Sequence, residues 1–237
     1  MFKDIKQVMK DSVLYGIGNV AVKLVGFILI PLYTDAEYFS TADYGLMGLL
    51  EVTSQILIAV MGLSLYSGLI RWYWDAEYRD KQKTIFFTTL LFTILTSLCI
   101  GSVLWLNIDE LSALLVQQEG YSLGGELPYI LQLLILTSML GAVVEVPQNL
   151  LRLQRKPIYY SLTNIVRLFA TLVLTIYFTI SLHRGVSGVY EAQLVGIVIQ
   201  LLMVLPLVIK NSSCRVDRKC TIQLLVYSYP LVFPAIV

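Results

Sequence analysis

Six apolar runs, each long enough to cross a bilayer, occupy most of this 237-residue chain. They fall at about 12–34, 44–69, 84–106, 129–151, 158–182 and 189–209. A hydrocarbon core of roughly 30 Å takes about 20 mostly apolar residues as helix. Lipid offers no water to satisfy an open backbone, so such segments cross as helices. Composition agrees: 57% of residues are hydrophobic, 14% are charged, and the mean hydropathy is +0.75. Soluble domains carry about a quarter charged residues. The expected fold is therefore an all-α integral membrane bundle of six transmembrane helices. It occupies residues 1–210, with a cytoplasmic linker and the opening of a seventh helix in 211–237.

Charge sorts the connections between the runs. Of 17 lysines and arginines, 14 alternate onto one side: Lys3, Lys6 and Lys10; Arg71, Arg79, Lys81 and Lys83; Arg152, Arg155 and Lys156; Lys210, Arg215, Arg218 and Lys219. The other side holds Arg184 alone. By the positive-inside rule the N-terminus is expected in the cytoplasm. The lysine-rich start resembles a signal peptide, but its apolar region is too long and no A-x-A-like site follows. Basic residues sit in short clusters between spans and not on one face, so no nucleic-acid partner is expected. The bilayer itself is the first partner.

The first run contains a lysine at its centre. Between Ser12 and Thr34 the one formal charge is Lys23, roughly 18 Å in from Asp11 at helical rise. An ammonium there costs about 2.5–3.5 kcal/mol on insertion scales, so it is expected to face a cavity or a protein interior. Ser12, Tyr15, Asn19, Lys23 and Gly26 step by three or four residues and share one helix face. Arg167 lies about nine residues into the fifth run, roughly 14 Å deep, on a stripe with Asn164, Thr171 and Thr175. Lys23, Arg167, Asn19 and Asn164 are therefore the candidate cavity lining. A cationic cavity in low dielectric attracts an anion, most naturally a phosphate or diphosphate. Glu51 and Glu145 are the candidate ion-coupling groups or charge partners. The competing reading pairs Lys23 with Glu51 and Arg167 with Glu145, which would only fix helix packing. Glu191, near the outer interface, is expected to pair structurally.

Nothing points to catalysis. There is no glycine-rich phosphate loop with its lysine, no paired histidines, and no nucleophile beside a base. Cys214 and Cys220 have a spacing that fits no common zinc pattern, and free thiols are expected. The chain reads as a non-enzyme without cofactor or metal.

Several stretches together resemble a known family. These are DSVLYGIGNVAVKLVGFILIPLYT, DYGLMGLL, QNLLRLQRKPIYYSLTNIVR, GVSGVYEAQLVG and YSYPLVFPAIV. In order and spacing they look like the Wzx-type polysaccharide-biosynthesis flippases for lipid-linked O-antigen and capsule units. That family lies within the multidrug/oligosaccharidyl-lipid/polysaccharide exporter superfamily. The resemblance implies one six-helix lobe of a two-lobe exporter in a bacterial inner membrane, and a lipid-linked oligosaccharide substrate on undecaprenyl diphosphate. It further implies a polysaccharide polymerase and glycosyltransferases as partners. Family cavities are cationic, and Lys23 and Arg167 match by position. Members are about twice this length, so the chain reads as an N-terminal half. Two alternatives stay open on the same fold. One is a multidrug and toxin extrusion antiporter, whose cationic substrates favour intramembrane carboxylates. The other is a peptidoglycan-precursor flippase. A membrane glycosyltransferase would need a large catalytic outer loop, and the longest, Asn107 to Pro128, has no Arg, Lys or His.

Overall fold

In the computed structural model of the chain, residues 27–115, 125–213, 215–231 and 234 are described. Residues 27–33 are helical. Eight further α-helices follow among the described residues: α1 (Thr41–Gly62), α2 (Leu65–Trp72), α3 (Gln82–Leu106), α4 (Ile108–Leu115), α5 (Leu127–Leu153), α6 (Pro157–Ile176), α7 (Gly185–Asn211) and α8 (Arg218–Ser228). No strand occurs among the described residues. Among the described residues, five helical segments are long and apolar enough to cross a membrane: Thr41–Gly62, Tyr78–Leu106, Leu127–Leu153, Pro157–Ser181 and Gly185–Asn211; most of the expected first span, 12–34, lies outside them. The all-α multi-pass architecture expected from the apolar runs is the one observed.

Helix α5 is the centre of the bundle. Its most apolar window is 56% buried, against 17–33% for the other spans. Helices α1, α2, α3, α4, α6 and α7 all pack on it. Close approach follows from small residues. Thr89, Thr93, Ser97 and Gly101 of α3 recur every fourth position and are buried, as suits helices pressed together in lipid. The Thr89 and Ser97 hydroxyls bond back to the carbonyls of Ile85 and Thr93 at 2.9 and 2.7 Å, so they cost nothing unsatisfied there. Between α1 and α5 the Ser54 and Ser138 hydroxyls meet at 3.1 Å. The opposite pattern marks the outside. Ile158, Leu162, Ile165, Phe169, Val173 and Ile176 of α6 are exposed at helical spacing and form an apolar stripe that fits lipid.

The expected second span, 44–69, is not one helix. Ser40 caps α1 through a capping box with Asp43, and the helix then stops at Gly62. Leu63 and Ser64 both adopt left-handed backbone, with φ of 45° and 49°. Each costs about 1–2 kcal/mol for a side chain with a Cβ. The break persists because substitute bonds hold it. Leu63 N–H donates to the Val60 carbonyl at 3.2 Å, and Thr96 of α3 donates its hydroxyl to the Met61 carbonyl at 2.7 Å. Ser64, buried, donates to the Leu231 carbonyl at 3.2 Å. Apolar periodicity continues across the break, which is why sequence reads it as uninterrupted.

Helix α8 lies against α2 and α3. Lys81 pairs with Asp217 at 2.7 Å, an exposed pair of the kind that adds little to stability. Beside it Cys220 is buried, and its thiol is pushed up to about 11, first by burial and then by the Asp217 carboxylate, with Lys81 opposing. The thiolate is the reactive form. Alkylation of Cys220 at pH 8, measured with Cys99 and Cys214 replaced by serine, is expected on the order of 100-fold slower than for a free thiol. It should match the free-thiol rate once the chain is unfolded.

Candidate functional site

A polar chain crosses between α6 and α7 near mid-span. Arg167 donates from Nη1 to Gln200 Oε1 at 3.1 Å. Gln200 donates from Nε2 to Asn164 Oδ1 at 3.0 Å. Asn164 donates in turn to the Tyr160 carbonyl of its own helix at 2.9 Å. Each amide is thereby used as both donor and acceptor, the condition for keeping such groups in an apolar interior. Gly196, one turn before Gln200, permits the approach. A Cβ there would stand 2.1 Å from Thr171 Oγ1 and 3.3 Å from the Arg167 carbonyl.

Arg167 is half-buried, and its partner is a neutral amide and not Glu145. Among the described residues, Glu51 lies within electrostatic range of it. Glu51 is exposed on α1, accepts from Gln55 Nε2 at 3.3 Å, and also lies within electrostatic range of Tyr33 and Tyr190. Arg167, Asn164 and Gln200 thus make a polar patch between two helices, with Glu51 of α1 within electrostatic range of it. Lys23 and Asn19 lie outside the described residues. Glu145 sits apart, on α5 beside Gly62, with its Oε2 at 3.9 Å from the position of a Cβ there. Glu191 is held structurally: it pairs with Arg184 and accepts from the Tyr129 hydroxyl at 2.8 Å. No group of metal-binding side chains occurs among the described residues.

No protein-family model matches the sequence, and no curated protein matches it. Solved structures do. An outward-facing multidrug resistance transporter of the MATE family, in the MOP superfamily, superposes with a TM-score of 0.75 at 18% identity, covering 97% of this chain and 52% of its own. The fold is one lobe of the MATE transporter fold. A point mutant of a Vibrio cholerae MATE transporter gives a TM-score of 0.73 at 16% identity, over 98% of this chain and 52% of its own. A MOP superfamily transporter from Pyrococcus furiosus gives 0.73 at 18%, over 97% and 52%; its binding pocket is described as reversed in polarity, which suggests a different function for it. This chain spans about half the length of the transporters it matches.

These matches overturn the Wzx-type flippase reading, and with it the polysaccharide, O-antigen and lipopolysaccharide assignment. Where they fall among the described residues, the stretches that carried that resemblance lie largely in membrane-spanning helices and their ends. Any lobe of this fold needs such stretches for membrane packing, so they do not separate its families.

Gln200 and Gly196 escaped the sequence reading. Their signal was present, as one amide in the run GIVIQLLMV with a glycine four residues earlier. A buried amide in lipid needs a partner, and a glycine one turn away marks where another helix comes close.

Proposed function

We propose that this chain is one lobe of a MATE-type antiporter, which exports organic cations in exchange for an inflowing cation. The observation that carries the reading is the superposition of 97% of the chain on a MATE transporter lobe. Glu51 supports it, as an exposed carboxylate on a membrane span within range of two tyrosines. In this reading Glu51, Asn164 and Arg167 border the substrate path, with Lys23 and Asn19 of the first run beside them. The basic connections lie on the cytoplasmic side of a bacterial cell membrane.

Everted vesicles holding the protein test this with a fluorescent organic cation and an imposed ion gradient. Gradient-driven uptake is expected. Glu51→Gln should lower its rate about tenfold, the loss of roughly 1.4 kcal/mol. Folded protein that moves no cation under any gradient ends the proposal.

One observation favours a second reading. Arg167 puts a guanidinium on the polar patch, and a pocket of reversed polarity exists on this fold. Under this reading the substrate is anionic, and Arg167→Gln, not Glu51→Gln, abolishes transport.

A further inference from the structure

Helix α2 ends at the edge of an apolar run, and its last turn holds Arg71. The run 44–69 stops two residues before it, so the guanidinium stands where hydrocarbon gives way to headgroups. Gly68, three residues earlier, lets α8 lie directly against this end of α2. A Cβ there would stand 2.6 Å from Leu224 Cδ2 and 3.1 Å from Ser228 Oγ. That approach sets Tyr227 of α8 beside Arg71 and Trp72. The guanidinium carbon lies 4.7 Å from the Tyr227 ring centre and 5.9 Å from that of Trp72. The two rings meet edge to face at 5.2 Å.

Stacking of this kind takes up a face of the guanidinium and leaves its N–H edge for another partner. Lys81, Arg152, Arg167 and Arg184 each have an oxygen partner in the protein. Among the described residues, no carboxylate pairs with Arg71 and no acceptor meets its N–H groups. The rings have already removed part of the rotamer freedom that an arginine loses on binding. Ile70 and Trp74, on the same side of α2 and its exit, are both exposed. An exposed isoleucine and tryptophan suit the glycerol and upper acyl level of a lipid, where tryptophan concentrates. A free anion in water would gain nothing from them.

We propose that Arg71, Ile70 and Trp74 hold one anionic phospholipid from the leaflet that meets the basic connections. The Arg71 guanidinium donates to the lipid phosphate, whose two free oxygens match its planar fork. The glycerol and first methylenes lie on Ile70 and Trp74. Tyr227 positions the arginine, so the site depends on α8 being docked at Gly68. It makes no use of Glu51 or of the Arg167–Gln200 chain, and it stands whatever the lobe transports.

The test offers the chain equal phosphatidylglycerol and phosphatidylcholine in mixed micelles and counts the retained lipid by native mass spectrometry. Wild type is expected to retain phosphatidylglycerol in preference. Arg71→Gln should lower that preference about fivefold, the share of one basic residue near an anionic headgroup. Tyr227→Leu keeps the charge but removes the ring beneath it, and should also lower the preference; it serves if the glutamine variant does not fold. Lys83→Gln, at another exposed cation of the same side, should leave it unchanged. Equal retention of the two lipids by wild type overturns the site. So does a preference undiminished in Arg71→Gln, or one that falls equally in Lys83→Gln, the mark of diffuse attraction to the whole basic surface. Loss of the preference in millimolar inorganic phosphate at constant ionic strength overturns the lipid assignment, because a free anion then fills the site as well.

Discussion

Gly196→Val is expected to force α6 and α7 apart and to be among the most damaging single changes in the lobe. The first atom of any side chain at 196 would meet Thr171 Oγ1 at 2.1 Å and the Arg167 carbonyl at 3.3 Å. Neither can withdraw easily: the threonine is short and stiff at χ1, and the carbonyl is backbone. Overpacking of this kind costs about 1–3 kcal/mol, with the upper part expected because two whole helices must shift. For a chain of this size that lowers the melting midpoint by roughly 3–10 °C. Gly101→Ala is the control. Its Cβ would stand 2.4 Å from Met139 Sδ, but a methionine rearranges readily. A midpoint loss for Gly101→Ala equal to that for Gly196→Val would remove the close α6–α7 approach as the cause.

Gln200→Leu is expected to cost about 1.5–3 kcal/mol, the range for a hydrogen bond to a charged group. Leucine fits the volume and suits lipid, so side-chain counting alone would call it harmless. The structure says otherwise, because one amide serves two partners. Removing it leaves the Arg167 guanidinium without its acceptor and Asn164 Oδ1 without its donor. The double variant Gln200→Leu with Arg167→Met should recover much of the loss, since no charge is then stranded. Equilibrium unfolding of the four proteins gives the coupling directly. Strict additivity would mean that the Arg167–Gln200 contact contributes nothing.

Membership of the polar patch was partly legible. Asn164 and Arg167 share a helical stripe that spacing reveals, and the structure joins both to one amide. Their partner was not legible, because a hydrogen bond between α6 and α7 depends on how the two helices cross. The competing pairing of Arg167 with Glu145 is not the one seen, for the same reason. Both charges lie within spans, but Arg167 faces α7 while Glu145 faces the end of α1. Family likeness misled where it rested on apolar stretches, which record the demands of the bilayer more than those of a substrate.

Taken alone, the amino-acid order determined that the chain is helical, is apolar enough to cross a membrane several times, and keeps most of its charges in the connections. Lipid enforces those three properties one segment at a time, through hydropathy and backbone satisfaction. Tertiary structure alone decided that α5 is the central helix, that the second span breaks at Leu63 and Ser64, and which neighbour each buried polar group meets. Those outcomes depend on contacts between segments far apart in the chain. A donor from Thr96 can hold open a break at Met61 only after α1 and α3 have packed together.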